Sequence, residues 1–385
     1  MEDDDEAVGV ALVPYLNDDL IMNILSRFHE VKWLIRFKCV CKSWYSLISS
    51  STFVDMHLLR TNNNNNNTNQ GRYLLYFAKD NTCRTLLSLF FFNYHIIKIY
   101  SSMRFDDAKL VGVCNGLLCL VTDDYHKNFH FHLVNPATKQ SRVLEKPNIV
   151  IPIGISSYGF AFDSKANDYK VVWVTSNYEK SKLLVLVLAL KTKCWRTVSM
   201  KKKFEFVDHC SNTVVENTLH WIGRTPQQEH DYDYSSKKTT LITIVAFDLV
   251  DEIFRDFKIP EDISDQKKCY DHHCFVFKGN LCVSVAPKFG FCIGDEIQVW
   301  VMKQYGVEES WSKDYCFSGT FLNFSLPTLL YHNRIGIRFD YEWNNLRNRK
   351  DLSYFFNEEI ISENLKLHPL YGRCFIDYRE SLVQV

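Results

Sequence analysis

The sequence predicts two parts. A small all-α module comes first, followed by an all-β domain whose natural closure is a six-bladed β-propeller sealed by strands from its own N- and C-terminal ends. Three observations carry this. Between residues 16 and 44 apolar residues recur every three or four positions, the period of a helix with one buried face. The run RTNNNNNNTNQG, residues 60–71, is polar, of low complexity and unable to bury anything, so it reads as a linker. Beyond it, hairpin-like units recur at a nearly constant interval to the end of the chain.

The first helix is marked by Leu16, Leu20, Ile24 and Phe28, four residues apart, with Ile21 and Leu25 widening the stripe. Asn17 or Asp18 can cap it, and the acidic pair Asp18 and Asp19 suits the positive end of a helix. A second stripe follows in Leu34, Phe37, Cys41 and Trp44, with Val40 and Leu47 beside it, while Arg36, Lys38 and Lys42 fall largely off it. A module this short carries more apolar side chains than it can bury in itself, so the surplus is expected to meet a partner. The expected boundaries are a disordered acidic tail over 1–11, the helical module over 12–59, the linker over 60–71 and the β domain over 72–385.

Four segments of the β domain share the form strand, polar turn, strand: FHLVNPATKQSRVL, LVLALKTKCWRTV, IVAFDLVDEIFRDF and IQVWVMKQYGVEESWSKDY. Their turns, near Ala137, Thr192, Val250 and Tyr305, are 55, 58 and 55 residues apart. Another hairpin precedes each, with bends at Asn-Gly, Lys-Ala-Asn, Glu-Asn and Lys-Gly-Asn. A fifth unit reads in LLYHNRIGIRF and LSYFFNEEIISENLKL. Three strands, RYLLYF, TLLSLFFF and HIIKIY, precede the first unit, and RCFIDY is left over at the end. Three strands plus one complete a sixth blade. A β-sandwich is the alternative, and it has less reason to repeat at one interval.

Composition removes several function classes. Lys plus Arg and Asp plus Glu both number 45, so no global field favours nucleic acid or an anionic membrane. The start MEDDDEAVGV lacks a secretory pattern, and no apolar run has the length of a membrane span. The 13 cysteines follow no framework spacing and read as reduced thiols, so a cytoplasmic or nuclear protein is expected. No nucleophile elbow, phosphate-cradling glycine loop or zinc-protease helix is present, and the acids Asp231 and Asp233 read as a solvated loop, so no catalytic residue and no cofactor is assigned. The one metal-like cluster is CYDHHC, Cys269 to Cys274, with Cys282 and Cys292 as completions. It reads better as the start of a buried strand than as zinc ligands, and no metal is assigned. Trp195, Trp221 and Trp311 recur near equivalent positions of the units and read as blade packing.

The stretch LNDDLIMNILSRFHEVKWLIRFKCVCKSWYSLISSSTFVDMHL resembles an F-box, whose pattern is Leu-Pro-x-Asp/Glu-Leu, then Ile-Leu-Ser-Arg-Leu-Pro, then Arg-Phe-x-x-Val-x-Lys-x-Trp. Asn17 stands where proline is usual, and RFHEVKW carries one extra residue. The resemblance implies docking onto a Skp-type adaptor, and through it onto cullin and RING subunits of a ubiquitin ligase. It carries that role to Leu16, Leu20, Ile24, Leu25, Leu34, Phe37, Val40, Cys41 and Trp44; several of these are also expected to form the module's own core. The β domain, in NPATKQSRVL, GFAFDSKANDYKVV, EIFRDFKIP, IQVWVMKQYGVEESW and the terminal YRESLV, resembles the kelch-like F-box-associated region of plant S-locus F-box proteins and their relatives. That implies a non-catalytic receptor for a protein substrate, which in the S-locus branch is a pistil ribonuclease recognised in self-incompatibility. An F-box module acting outside ubiquitination is the alternative; a propeller hydrolase is a distant one.

Connection lengths suggest where a substrate would sit. In a four-stranded meander the first-to-second and third-to-fourth turns lie at one end, and here they are mostly tight. The other connections are long: Glu145 to Tyr158, Gly223 to Thr240, Lys258 to His272, Pro287 to Glu296 and Asp340 to Asp351. Long loops on a rigid scaffold are where recognition resides. Among them RTPQQEHDYDYSSKKTT sets Asp231, Tyr232, Asp233 and Tyr234 side by side, suited to a substrate interface with aromatic anchors; the same stretch also reads as a disordered insertion.

Overall fold

The computed structural model describes residues 16–63, 72–79, 84–93, 96–106, 108–124, 128–151, 154–176, 183–202, 204–207, 210–211, 213–225, 241–264, 270–287, 296–318, 329–331, 334–336 and 371–385. Four helices come first: α1 (Asp18–Leu25), α2 (Val31–Phe37), α3 (Lys42–Ser49) and α4 (Ser51–Asn63). α4 continues into the stretch read as a linker, so that Arg60 and Thr61 belong to the helical module. The second stripe is not one helix. Cys41, in extended backbone with φ −159°, separates α2 from α3, and its Sγ accepts the Trp44 amide at 3.5 Å as a cap.

The strands that follow are β1 (Arg72–Lys79), β2 (Arg84–Asn93) and β3 (Ile96–Asp106), then β4 (Ala108–Cys114), β5 (Leu117–Asp124), β6 (Asn128–Asn135) and β7 (Gln140–Val143). Next come β8 (Ser156–Asp163), β9 (Asp168–Ser176), β10 (Leu183–Ala189) and β11 (Cys194–Val198), with the short β12 (Glu205–Phe206) and β13 (Cys210–Ser211). The chain continues through β14 (Thr213–Val215), β15 (Thr218–Thr225), β16 (Leu241–Asp248) and β17 (Phe254–Lys258). It then forms β18 (Tyr270–Phe277), β19 (Asn280–Pro287), β20 (Glu296–Met302), β21 (Trp311–Ser318), β22 (Leu329–Tyr331), β23 (Arg334–Gly336) and β24 (Tyr371–Arg379).

Four antiparallel meanders follow one another, β4 to β7, β8 to β11, β14 to β17 and β18 to β21, and each is one of the repeat units. A further sheet has the order β24-β1-β2-β3, so the last strand pairs with the first: Tyr73 faces Tyr378 and Phe77 faces Cys374. Six complete blades are not what the described residues contain. They hold the four consecutive blades, the closing sheet and, at the expected fifth unit, only the pair β22 and β23. LSYFFNEEIISENLKL lies outside the described residues. The period was readable because tight turns have a residue code, whereas pairing depends on partners that a period cannot supply.

The turns show that code directly. Asn115 with Gly116, Glu216 with Asn217, and Lys278 with Gly279 are two-residue bends with both φ angles positive. In the third-to-fourth turns Asn135 and Asp248 accept backbone amides two and three residues ahead, as Asp163 does in a first-to-second turn.

The apolar cores lie between successive blades, which is what makes the stack a propeller rather than a row of hairpins. One core joins Leu117, Phe131 and Leu133 of the first meander to Tyr158, Trp173 and Leu188 of the second. The next joins Val172 and Val187 to Leu219, Trp221 and Phe247, and a third joins Ile222 and Ile244 to Leu281, Val283 and Met302. The tryptophans read as blade packing serve that role with their polar ends as well. The Trp195 indole N–H donates to the Glu145 carbonyl at 2.6 Å, and Trp311 donates to Lys258 at 3.1 Å, each reaching back to the preceding blade. Trp221 donates to the Tyr158 carbonyl at 3.0 Å.

Two polar contacts, each centred on a buried residue, also join blades. Lys170 Nζ lies 2.8 Å from Asp163 and 2.9 Å from Glu252, and Arg196 completes the cluster on Glu252. Burial raises the pKa of both carboxyls, but Lys170, with Arg196 on Glu252 and backbone amides on Asp163, outweighs it and holds them below their ordinary values. His220, wholly buried, bonds to Tyr305 Oη at 2.9 Å, and burial depresses its pKa from 6.5 to about 4.

Two outcomes are expected. Lys170→Met strips the cation from the buried Asp163 carboxylate and from the partly buried Glu252, and should cost about 3 kcal/mol in urea unfolding. Because the folded-state pKa of His220 is depressed, its contribution is complete above pH 6.5 and is lost as pH falls towards about 4, so the urea midpoint should decline across that window. Asp163 and Glu252, also depressed, should extend the decline to lower pH.

Candidate protein-docking surfaces

The helical module is built from a core of Leu25, Val31, Leu34, Leu47, Ile48 and Phe53. Asn17 caps α1, its Oδ1 accepting the Asp19 amide at 2.6 Å, so the residue that departs from the usual proline still organises the first turn. Phe28, Phe37 and Trp44 form an edge-to-face series, with ring centroids 5.1 and 5.9 Å apart. Arg60 Nη1 donates to the Asn23 carbonyl at 2.9 Å and ties α4 back to the end of α1.

Burial sorts the nine residues singled out for adaptor docking. Leu25 and Leu34 are core, at 2% and 0% exposure. Phe37 and Trp44 are half-buried, and Leu16, Leu20, Ile24, Val40 and Cys41 are exposed. Phe28, Trp33, Ile35 and Tyr45 add exposed apolar surface that the stripe pattern had not included beyond Phe28. Arg36 and Lys32 lie over the Trp33 ring at 4.9 and 5.4 Å. The signal for these was present in the crowding of aromatic with basic residues, but only the fold shows which face the core leaves free.

The module sits at the tight-turn end of the propeller. Its core takes in Leu382 from the chain terminus and packs against Ala137 in the β6–β7 turn. Because adjacent strands alternate in direction, every connection from the second to the third strand and from blade to blade leaves from the opposite end. There the connection from β7 to β8 exposes Ile149, Val150 and Ile155, with Val150 at 94%. Asp231, Tyr232, Asp233 and Tyr234 lie outside the described residues, in the connection from β15 to β16.

The described members of the CYDHHC cluster do not converge on one site. Cys269 and Cys292 lie outside the described residues. His272 is buried against the Ile263 carbonyl at 2.6 Å, and Cys274 donates to the His220 carbonyl at 3.4 Å. Cys282 is opposite Phe275 in the ladder while Cys274 is opposite Val283, so these two thiols project from opposite faces of one sheet. Burial pushes the Cys282 thiol up to about 12. Among the described residues no group of three or more His, Cys, Asp or Glu is placed to hold a metal ion, and no helix is long and apolar enough to cross a membrane.

Taken together, these features define a helical docking module with an exposed apolar face, mounted on the turn end of a β-propeller. The F-box domain family matches residues 14–55, and the F-box associated β-propeller domain family matches residues 61–385. The F-box protein At3g07870 of Arabidopsis thaliana is 29% identical over 350 residues, covering 83% of this chain and 76% of that protein. The F-box/kelch-repeat protein At3g23880 of the same plant is 28% identical, covering 77% of each. Among solved structures, TolB from Acinetobacter baumannii overlays with a TM-score of 0.34 at 9% identity, covering 68% of this chain and 69% of that one, too loosely to bear on fold or function. The chain belongs to the plant F-box proteins that carry an F-box associated β-propeller domain.

The burial pattern predicts a split in stability. Leu34→Ala should cost about 3 kcal/mol in thermal or urea unfolding of the module, whereas Leu20→Ala should stay within about 0.5 kcal/mol.

Proposed function

We propose that the chain is the substrate-recognition subunit of a Skp–cullin–F-box ubiquitin ligase and is itself non-catalytic: the helical module binds a Skp-type adaptor, and the propeller binds the protein to be ubiquitinated. The observation that carries the reading is the apolar face of Leu16, Leu20, Ile24 and Val40, at 50% to 61% exposure on a module whose core is already complete without them. Apolar surface of this kind marks a protein interface. Phe37 and Trp44 support it from beneath, Cys41 sets the break that presents Val40, and Leu25 and Leu34 act through the core.

The cargo surface is assigned to the loop end of the propeller. The module and the chain terminus cover the turn end at Gly116 and Ala137, which favours the opposite end, where Ile149 and Val150 are exposed. Asp231, Tyr232, Asp233 and Tyr234 belong to a connection leaving from that end and form its proposed margin. A secreted-type ribonuclease, as in the S-locus branch, is the finer form of the same reading and is tested by the same capture experiment.

The purified full chain should bind a Skp-type adaptor and, with cullin and RING subunits added, support ubiquitin transfer to captured cargo. Adaptor binding without cullin recruitment would favour a module acting outside ubiquitination, and no adaptor binding would overturn the proposal. Leu20→Ala should weaken adaptor binding about tenfold. Changing Asp231, Tyr232, Asp233 and Tyr234 to Ser should weaken cargo capture, most visibly at low salt, and leave adaptor binding unchanged.

A further inference from the structure

The terminal YRESLV matched the family pattern in sequence but has no part in the reading above. It continues from β24 beyond the closing sheet, and its side chains serve two bodies. Towards the helices, Arg379 Nη1 donates to the Thr61 carbonyl at 2.5 Å, and the buried Glu380 accepts the Val31 amide on Oε2 at 2.7 Å. Leu382, 4% exposed, enters the core of Leu25, Leu34 and Phe53. Towards the propeller, Asn135 Nδ2 donates to the Ser381 carbonyl at 3.0 Å and to the Val383 carbonyl at 2.8 Å. Tyr378 Oη donates to the Gly116 carbonyl at 3.1 Å, and Val383 and Val385 pack on the core between the first two consecutive blades.

We propose that Arg379–Val385 is a strap that fastens the F-box to the turn end of the propeller, so that the adaptor face and the cargo end are held as one rigid body. The fit at the turn supports this. A β-carbon on Gly116, where φ is +75°, would stand 2.5 Å from Ser381 Oγ and 2.8 Å from the Arg379 carbonyl oxygen, so the strap lies against a turn that leaves no room for a side chain. Without it, the two parts are joined through residues 64–71, a polar stretch with a reach of roughly 27 Å. The mechanical claim stands on these contacts alone. Its consequence, a set distance between adaptor and cargo, rests on the proposed function.

The test uses the full chain with Glu380→Ala, with Leu382→Ala and with Gly116→Ala, read by amide hydrogen exchange and small-angle X-ray scattering. Loss of the bond to a charged acceptor should speed exchange at Val31 about tenfold in Glu380→Ala. Gly116→Ala, a change in the propeller, should also speed exchange at Val31 in the helices. All three variants should increase the maximum dimension in scattering, while protection at Val172 in the propeller core stays unchanged. If Gly116→Ala also strips protection from β5, the Glu380→Ala and Leu382→Ala results decide. Unchanged Val31 exchange and superimposable scattering in those two variants would overturn the strap. Failure of the unmodified chain to bind a Skp-type adaptor would instead overturn the proposed function and leave the strap standing.

Discussion

The pairing of β24 with β1 is the constraint on which the rest of the structure depends. Without β24 the first sheet would hold only β1 to β3 and leave the backbone donors and acceptors along β1 unpaired, and a strand from the other end of the chain laid on β1 completes it to four strands. Because β1 and β24 are antiparallel, the chain enters β1 and leaves β24 at the same end of the ring. The helical module before β1 and the terminal segment after β24 therefore meet. Their contacts through Glu380, Leu382 and Thr61 follow from the closure rather than from any affinity that the two segments would show as isolated peptides.

Strand alternation then divides the labour. The turn end is made of bends of two to eight residues in which Asn, Gly, Lys and Glu residues take positive φ, and it is occupied by the F-box and the strap. The loop end has no such restriction on length, so it can vary without disturbing the blades. Polar contacts across the blades, the Lys170 cluster and the tryptophan indoles, keep the scaffold in register beneath both ends. With Lys170, Asp163 and the Trp221 indole buried and each given a partner, they fix geometry more than they add stability.

Much was legible from the residues because it is local. The cap at Asn17, the Asn-Gly and Lys-Gly-Asn bends and the leftover strand RCFIDY each follow from chemistry within a few positions, and each has its counterpart in the structure. The same local reading missed what depends on distance. It joined α2 and α3 across Cys41, because spacing of three and four is also what a short break preserves. It expected several of the nine docking residues to be core as well without telling which: Leu25 and Leu34 are core, and Leu20 and Val40 are exposed. It counted a complete fifth blade from an interval, of which the described residues hold only β22 and β23.

By itself the sequence determined the two-part organisation, the repeat interval, the positions of the tight turns and the family resemblance, since all of these are written in periodicity and in residue types that only certain backbones tolerate. Only the tertiary structure decided which apolar residues face outward, which end of the propeller carries the helices, and what the terminal Glu380 and Leu382 touch. Those contacts join residues more than 300 positions apart, Val31 with Glu380 and Thr61 with Arg379. No local preference of either partner encodes such a meeting; it exists because closing the ring brings the two ends of the chain to one place.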